Sequence, residues 1–250
     1  MAPQPDFIIS FYSTSTMHDA QGRTFNDLLR FNNQELEYNH DYIQILFPLP
    51  ESSPINPGAP VITPEVRQAF IKHPALRERL VLALERMLQF YGFGLNPSYS
   101  RLELATMTTA PDHGPGETAA RGDRIDDPSA LIGRGANFKR RATASWLKRG
   151  DHNHLRLTRI IRCLRVLGLE VLARALFEQL LESDEERVVS QRSRMFWARA
   201  AERDLWLAPS EDNDGKGVTW LREELERGGS ASDETMEGDA GGQDEEGMVK

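Results

Sequence analysis

The side chains best suited to chemistry lie between Asn137 and Glu182: Lys139-Arg140-Arg141, Lys148-Arg149, His152-Asn153-His154, Arg156 and Arg159. Cations interleaved with Phe138 and Trp146 could neutralise phosphates and stack bases, the chemistry of nucleic-acid binding. Arginine is equally ordinary on a solvated helix face, and no recognised nucleic-acid module surrounds these residues, so nucleic acid is a compatible but not favoured partner. His152 and His154 are metal-ligand types, yet side chains at i and i+2 diverge on a helix, and no Cys or acidic partner sits at ligand spacing nearby. No metal site and no cofactor are expected. A Gly-rich phosphate loop, a nucleophile elbow and a paired-carboxylate motif are all missing. An enzyme would have to rest on scattered residues such as His40 and Asp41, so no catalytic residue is assigned and a non-enzyme is expected. Arg121-Gly122-Asp123 spells an adhesion tripeptide in a loop, and Asp212-Asn213-Asp214-Gly215 fails as a calcium loop because Leu221 stands where the bidentate Glu belongs.

The elements that must position these residues read as helices. Leu157, Ile160, Ile161, Leu164 and Leu167 share one face at 100° per residue, which predicts an amphipathic helix over 153–167 with its arginines on a basic outer surface. Asp151 or Asn153 can cap its start, and Gly168 suits a stop or a tight bend before the stripe Val171, Leu172, Leu176, Leu180, Leu181. Thr24 with Asp27 forms a capping box before Leu28, Leu29 and Phe31, and Asn33 can cap a helix that carries Leu36, Ile43 and Phe47 until Pro48. Thr63-Pro64 opens a short helix that His73-Pro74 closes. Leu76, Leu80, Leu84, Met87, Leu88 and Tyr91 make the cleanest stripe, and Gly92 ends it. Asp184-Glu185-Glu186 offers an acidic first turn for a final long helix through Trp206, and Trp146, Phe196, Trp197 and Trp206 read as core. Phe7–Tyr12 is the one plausible strand. The expected fold is all-α, a single domain of about eight helices.

Composition sets further bounds. With 250 residues and 39% hydrophobic content the chain can bury one sizeable core. Its single cysteine, Cys163, excludes a disulfide framework and points to a reducing, intracellular setting. No apolar stretch is long enough for a transmembrane segment, and the first residues lack the pattern of a signal peptide. The net charge of −8 is unevenly spread: residues 208–250 hold 13 acidic and 4 basic side chains, while 134–174 hold 11 basic and 2 acidic. We therefore expect a disordered N-terminus over 1–6, a folded domain over 7–207 with a flexible insertion at 98–133, and an acidic low-complexity tail over 208–250, in which Val218–Leu225 is a candidate short helix.

Two passages carry a resemblance. The run His40-Asp41-Tyr42-Ile43-Gln44-Ile45-Leu46-Phe47-Pro48-Leu49 and the block Asn153-His154-Leu155-Arg156-Leu157-Thr158-Arg159-Ile160-Ile161 are similar to the signature sequences of the opioid growth factor receptor conserved-region family. Leu80, Met87, Phe90-Tyr91-Gly92 and a looser stretch from Arg194 to Trp206 continue it. Ile45 stands where family members usually carry an aromatic residue, and the C-terminal repeats of the vertebrate receptors are not in this sequence.

The resemblance implies a helical, non-enzymatic peptide- or protein-binding domain with receptor-type signalling activity. Its implied partner is an enkephalin-like peptide such as Tyr-Gly-Gly-Phe-Met, or a protein. Its implied setting is cytoplasmic or nuclear, with perinuclear or peripheral membrane association. By motif match, Trp146, His152, Asn153, Arg156 and Arg159 are the candidate ligand-binding residues. The alternative is an intracellular nucleic-acid- or protein-binding scaffold that uses the basic helix and takes no opioid ligand.

Overall fold

A computed structural model describes residues 6–53, 56–107, 127–210 and 217–234. The expected disordered N-terminus lies outside the described residues except for its last, and so do the Arg121-Gly122-Asp123 tripeptide, the Asp212–Gly215 run and most of the acidic tail.

The described residues form twelve α-helices: α1 (Asp6–Ser13), α2 (Phe25–Arg30), α3 (Asn33–Tyr38), α4 (Tyr42–Leu46), α5 (Pro64–Lys72), α6 (Pro74–Tyr91), α7 (Arg101–Thr106), α8 (Phe138–Ser145), α9 (Asn153–Val166), α10 (Glu170–Ser183), α11 (Gln191–Glu202) and α12 (Thr219–Glu234). The fold is all-α in character. Strands β1 (Phe93–Leu95) and β2 (Ile132–Arg134) add one short antiparallel ribbon, and a 3₁₀ turn over Pro128–Leu131 leads into the second.

Local chemistry accounts for most boundaries. The Thr24 hydroxyl accepts from the Asp27 N–H, and the Asp27 carboxylate returns a bond to the Thr24 N–H, the reciprocal box that starts α2. Asn32, one residue before the expected Asn33, makes the same box with Glu35 for α3. Thr63 caps α5 with Pro64 in its first turn. Gly92 ends α6 at φ 97°, and a Cβ there would meet Phe138 backbone atoms and the Arg141 Cβ at 3.0 Å. Gly168, at φ 85°, turns the chain between α9 and α10.

Three expectations are corrected. The Phe7–Tyr12 strand is a helix: Ile8, Phe11 and Tyr12, spaced i, i+3, i+4, are the residues it buries, so the helical period overrides the β preference of these side chains. The acidic run at Asp184 does not start the last core helix. The Asp184 carboxylate instead accepts from the N–H groups of Val188 and Val189 at 2.7 and 3.3 Å, and Ser190 caps α11. The short helix expected near Val218 extends to Glu234, and it is docked: Leu221 is fully buried and Glu224 pairs with Arg67 at 3.0 Å.

One core joins the elements. The buried face of α6 (Leu80, Leu84, Met87, Leu88, Tyr91) packs against α1, α5, α7 and α8, while α9 packs against α10 and α11. The ribbon connects the two groups, since β1 rests on α6 and β2 on α10. Each large apolar side chain buried fully contributes about 1.5–3 kcal/mol. Trp146 and Trp197 meet edge to face at 6.1 Å inside this core, as expected of their type.

Candidate functional site

The arginines of α9 face inward and hold the ends of other helices. The Arg156 guanidinium donates to the Leu36 carbonyl at 2.7 Å, the Asn39 carbonyl at 2.7 Å and the Glu37 carbonyl at 3.3 Å, which are the orphaned acceptors at the end of α3. Arg159 donates to the Phe47 carbonyl at the end of α4 at 3.1 Å. Arg162, 1% exposed, binds the Glu51 carboxylate and the Leu205 carbonyl. Arg165 donates to the carbonyls of Ala200 and Arg203 where α11 ends, and pairs with Glu170 at 2.8 Å. The end of α9 receives the same treatment: the Val166 carbonyl accepts from Arg67. A cation at the negative end of a helix is favoured by the macrodipole as well as by the hydrogen bonds.

The basic outer surface expected of this helix is therefore overturned. Its arginines are committed to backbone acceptors and to the carboxylates of Glu51 and Glu170, leaving little charge for a phosphate backbone. Phe138 and Trp146 are likewise unavailable for base stacking. Trp146 is fully buried with its indole N–H on the Tyr91 carbonyl at 3.1 Å, and the half-buried Phe138 lies against Phe93 under the Arg134 guanidinium. Lys139, Arg140 and Arg149 remain exposed.

The five residues matched by motif separate accordingly. Trp146, Asn153 and Arg156 are 0%, 0% and 5% exposed and cannot touch a ligand in this conformation, because each is satisfied from within the fold. Arg159 is half-buried, and burial lowers its pKa. His152 alone is exposed. Its ring lies between two carboxylates, with Nε2 3.7 Å from Glu37 Oε1 and Nδ1 3.6 Å from Asp151 Oδ1. His152 and His154 diverge as expected: His154 is buried between the Ser193 hydroxyl at 2.9 Å and the Trp146 carbonyl at 2.7 Å.

Asn153 organises the corner around His152. Its N–H donates to Asp151 at 2.7 Å, and its amide donates to Glu37 at 3.1 Å and to the Ser145 carbonyl at 2.9 Å. Burial would raise the Asp151 pKa, but the Asn153 N–H and the Lys148 ammonium, 3.0 Å away, outweigh it and hold the carboxyl below its usual range. His40 stands with its ring centroid 5.4 Å from that of His152. Its Nδ1 faces Arg156 Nη2 at 2.9 Å, and since a guanidinium only donates, Nδ1 accepts. Burial lowers the His40 pKa, and the neighbouring Arg156 and His152 lower it further.

One ligand atom each from Glu37, Asp151 and His152 lies within 4.8 Å of the others, so these are the residues that could hold a metal ion. The Lys148 ammonium already on Asp151 and the Asn153 amide on Glu37 leave Glu37 Oε1 as the acceptor turned toward His152. Tyr38, next to Glu37 in the chain and 72% exposed, and Leu155, three residues after His152 and 66% exposed, are the two most exposed large apolar side chains among the described residues. Asp151 was legible as the neighbour of His152. Glu37, Tyr38 and His40 carry no such signal, since they lie over a hundred positions away.

The two recognisable passages of the sequence, around His40-Asp41 and around Asn153–Arg156, thus meet at this corner. Residues 3–106 and 123–202 match the family model described as the opioid growth factor receptor (OGFr) conserved region. The chain is 35% identical over 165 residues to the opioid growth factor receptor of Rattus norvegicus, covering 65% of this chain and 23% of that protein. It is 34% identical over 166 residues to the Homo sapiens receptor, covering 65% of this chain and 20% of the relative. It is 29% identical over 137 residues to opioid growth factor receptor-like protein 1 of Mus musculus, covering 55% and 22%. The chain therefore spans under a quarter of the length of these relatives. No solved structure matches it.

Proposed function

Because this chain belongs to the opioid growth factor receptor conserved-region family, we propose that it is a non-enzymatic peptide- or protein-binding domain with receptor-type signalling activity, and that its binding face is the corner around His152. The relatives it matches are named receptors rather than enzymes. The observation that carries the reading is the union of Glu37 and Asp151 with His152 beside the exposed Tyr38 and Leu155. A peptide with a free amino terminus and an aromatic first residue offers an ammonium to Glu37 Oε1 and a ring to the apolar rim. Exposed apolar side chains beside a few convergent polar groups are the usual make-up of a recognition surface.

Under this proposal the setting is intracellular, cytoplasmic or nuclear, and any membrane association is peripheral or through a partner. No helix among the described residues is long and apolar enough to cross a membrane. The nucleic-acid alternative draws no support from α9, whose arginines face inward.

The test is a calorimetric titration of the chain with Tyr-Gly-Gly-Phe-Met, its N-acetylated form and a scrambled pentapeptide. A charge-assisted hydrogen bond contributes about 1.5–3 kcal/mol, so acetylation or Glu37→Gln should weaken binding by roughly ten- to a hundredfold. Equal heats from all three peptides would sink the proposal.

A further inference from the structure

A second arrangement lies at the other end of α9 from that corner, where α12 is docked on α5. His152 precedes the first residue of α9, and the 14 residues of that helix span about 20 Å before the chain leaves it at Val166. There the Arg67 guanidinium of α5 donates to the Val166 carbonyl and, through Nε, to the Glu224 carboxylate of α12 at 3.0 Å. The neighbouring Gln68 amide donates to the same Glu224 oxygen at 2.6 Å. Two successive residues of α5 thus converge on one carboxylate oxygen, which α12 presents one turn after the fully buried Leu221.

Few side chains fasten α12. Between Thr219 and Arg227, Leu221 is the one buried residue, Trp220 and Glu224 are half-buried, and the others are exposed. The first turn leans on Trp206: the Val218 N–H donates to the Trp206 carbonyl at 2.8 Å, and the Arg222 guanidinium lies 4.9 Å from the ring centroid. The face of α5 that receives the helix extends beyond it, since Ile71, one turn after Arg67 and on the same side, is 40% exposed. This face belongs to the residues matched by the family model, whereas α12 lies beyond residue 202, where that match ends.

A helix that anchors itself through one buried leucine and one carboxylate on the same side follows the general mode by which proteins receive helical peptides. We propose that the α5 face around Arg67 and Gln68 is a docking site for an amphipathic helix of a partner protein, one that carries a glutamate three residues after a leucine, and that α12 fills this site in cis as an exchangeable occupant. The converging donors select a carboxylate, and the leucine fixes which carboxylate reaches them. Release of α12 leaves Arg67 Nε and the Gln68 amide without their shared acceptor, and a partner's glutamate replaces it. A tethered occupant competes at an effective concentration on the order of millimolar, so a free helix gains the site chiefly when α12 is released.

The probe is a fluorescein-labelled peptide of residues 217–234, titrated by anisotropy with the full chain and with its Leu221→Asp variant, which undocks α12. The peptide should bind the variant saturably, about tenfold or more tightly than it binds the unaltered chain, whose site is filled. Leu221→Ala or Glu224→Gln in the peptide should each weaken that binding by about tenfold. Hydrogen exchange on the unaltered chain decides independently, and still does so if the variant fails to fold. The hydrogen-bonded amides of α12 should exchange through local opening, about tenfold or more faster than those of α6 and α9. Exchange of α12 only with global unfolding, no saturable binding of the peptide to a folded variant at millimolar concentration, or equal binding of the three peptides would overturn the proposal. The docking face and the His152 corner share no residue, so the failure of one test leaves the other standing.

Discussion

Arginines packed toward the core of this protein are treated in two opposite ways, one shared by α9 and by Arg77 and Arg86 of α6, the other found at Arg79. On α9, Arg156, Arg159, Arg162 and Arg165 each donate to a backbone carbonyl brought by another part of the chain. On α6, Arg79 rests on an aromatic ring with two nitrogens unsatisfied. The first arrangement is that of a structural spoke, in which the charge completes helix ends that would otherwise be unsatisfied. The second leaves two buried donors unsatisfied, with only the face of Phe25 to compensate the charge. A basic residue in a fold is thus diagnosed by its acceptors rather than by its charge.

The sharpest way to break this comparison is Arg156→Met. It strips donors from the Leu36, Glu37 and Asn39 carbonyls and from His40 Nδ1. Loss of a buried charge-assisted network of this kind costs about 3–5 kcal/mol, a large part of a domain's stability. Denaturant unfolding followed by far-ultraviolet circular dichroism reads the change in midpoint. A loss under 1 kcal/mol would mean that the spokes are incidental.

Alkaline titration sharpens the same contrast, because each arginine has a buried tyrosine beside it. Burial raises the Tyr42 phenol to about 12, although Arg156, 5.5 Å from its ring, pulls it down. Burial also raises Tyr12, near Arg79, and Tyr91 well above the ordinary value. A folded pKa above the unfolded one means that the stabilisation is whole below about pH 10 and fades as pH climbs toward 12. Phenolate absorbance at 295 nm should show Tyr12, Tyr42 and Tyr91 ionising late and together with unfolding. Ionisation of all five tyrosines near pH 10 in a still-folded chain would contradict their burial.

The smallest effect is expected at the unpaired arginine. Arg79→Met keeps the stem and removes a cation that has no protein anion, so stability should change by less than about 0.5 kcal/mol or rise. Thermal unfolding of the two chains side by side checks it. A loss comparable to that of Arg156→Met would make Arg79 a spoke as well and would remove the asymmetry.

Much of the architecture was legible because its causes are local. The stripe Leu76, Leu80, Leu84, Met87, Leu88, Tyr91 is α6, and the box at Thr24 and the cap at Thr63 start their helices as capping chemistry requires, whereas the cap expected at Asn33 falls on Asn32 and the single helix expected from there to Phe47 is two, α3 and α4. Where local reading failed, a competing local signal was present. Phe7–Tyr12 combines aromatic and β-branched residues of strand type with the i, i+3, i+4 spacing of α1, and the spacing won because Ile8, Phe11 and Tyr12 had a core to enter. Asp184 looked like the start of a helix and became a turn, because its carboxylate found backbone donors four and five residues on.

The site followed a different rule. His152 and its neighbours were visible, and so was the likeness of two segments to one family. The sequence by itself determined the helical period, the caps at Thr24, Thr63 and Gly92 and that likeness, since each depends on residues within a few positions of one another. Tertiary structure alone decided that Arg156 points at Leu36 and Asn39, that Glu37 meets His152 and that Arg79 meets no anion. The physical reason is the arginine side chain itself. Its long stem reaches a carbonyl or water equally well, and which it finds depends on the helix end that packing has placed within reach, here more than a hundred residues away in the chain.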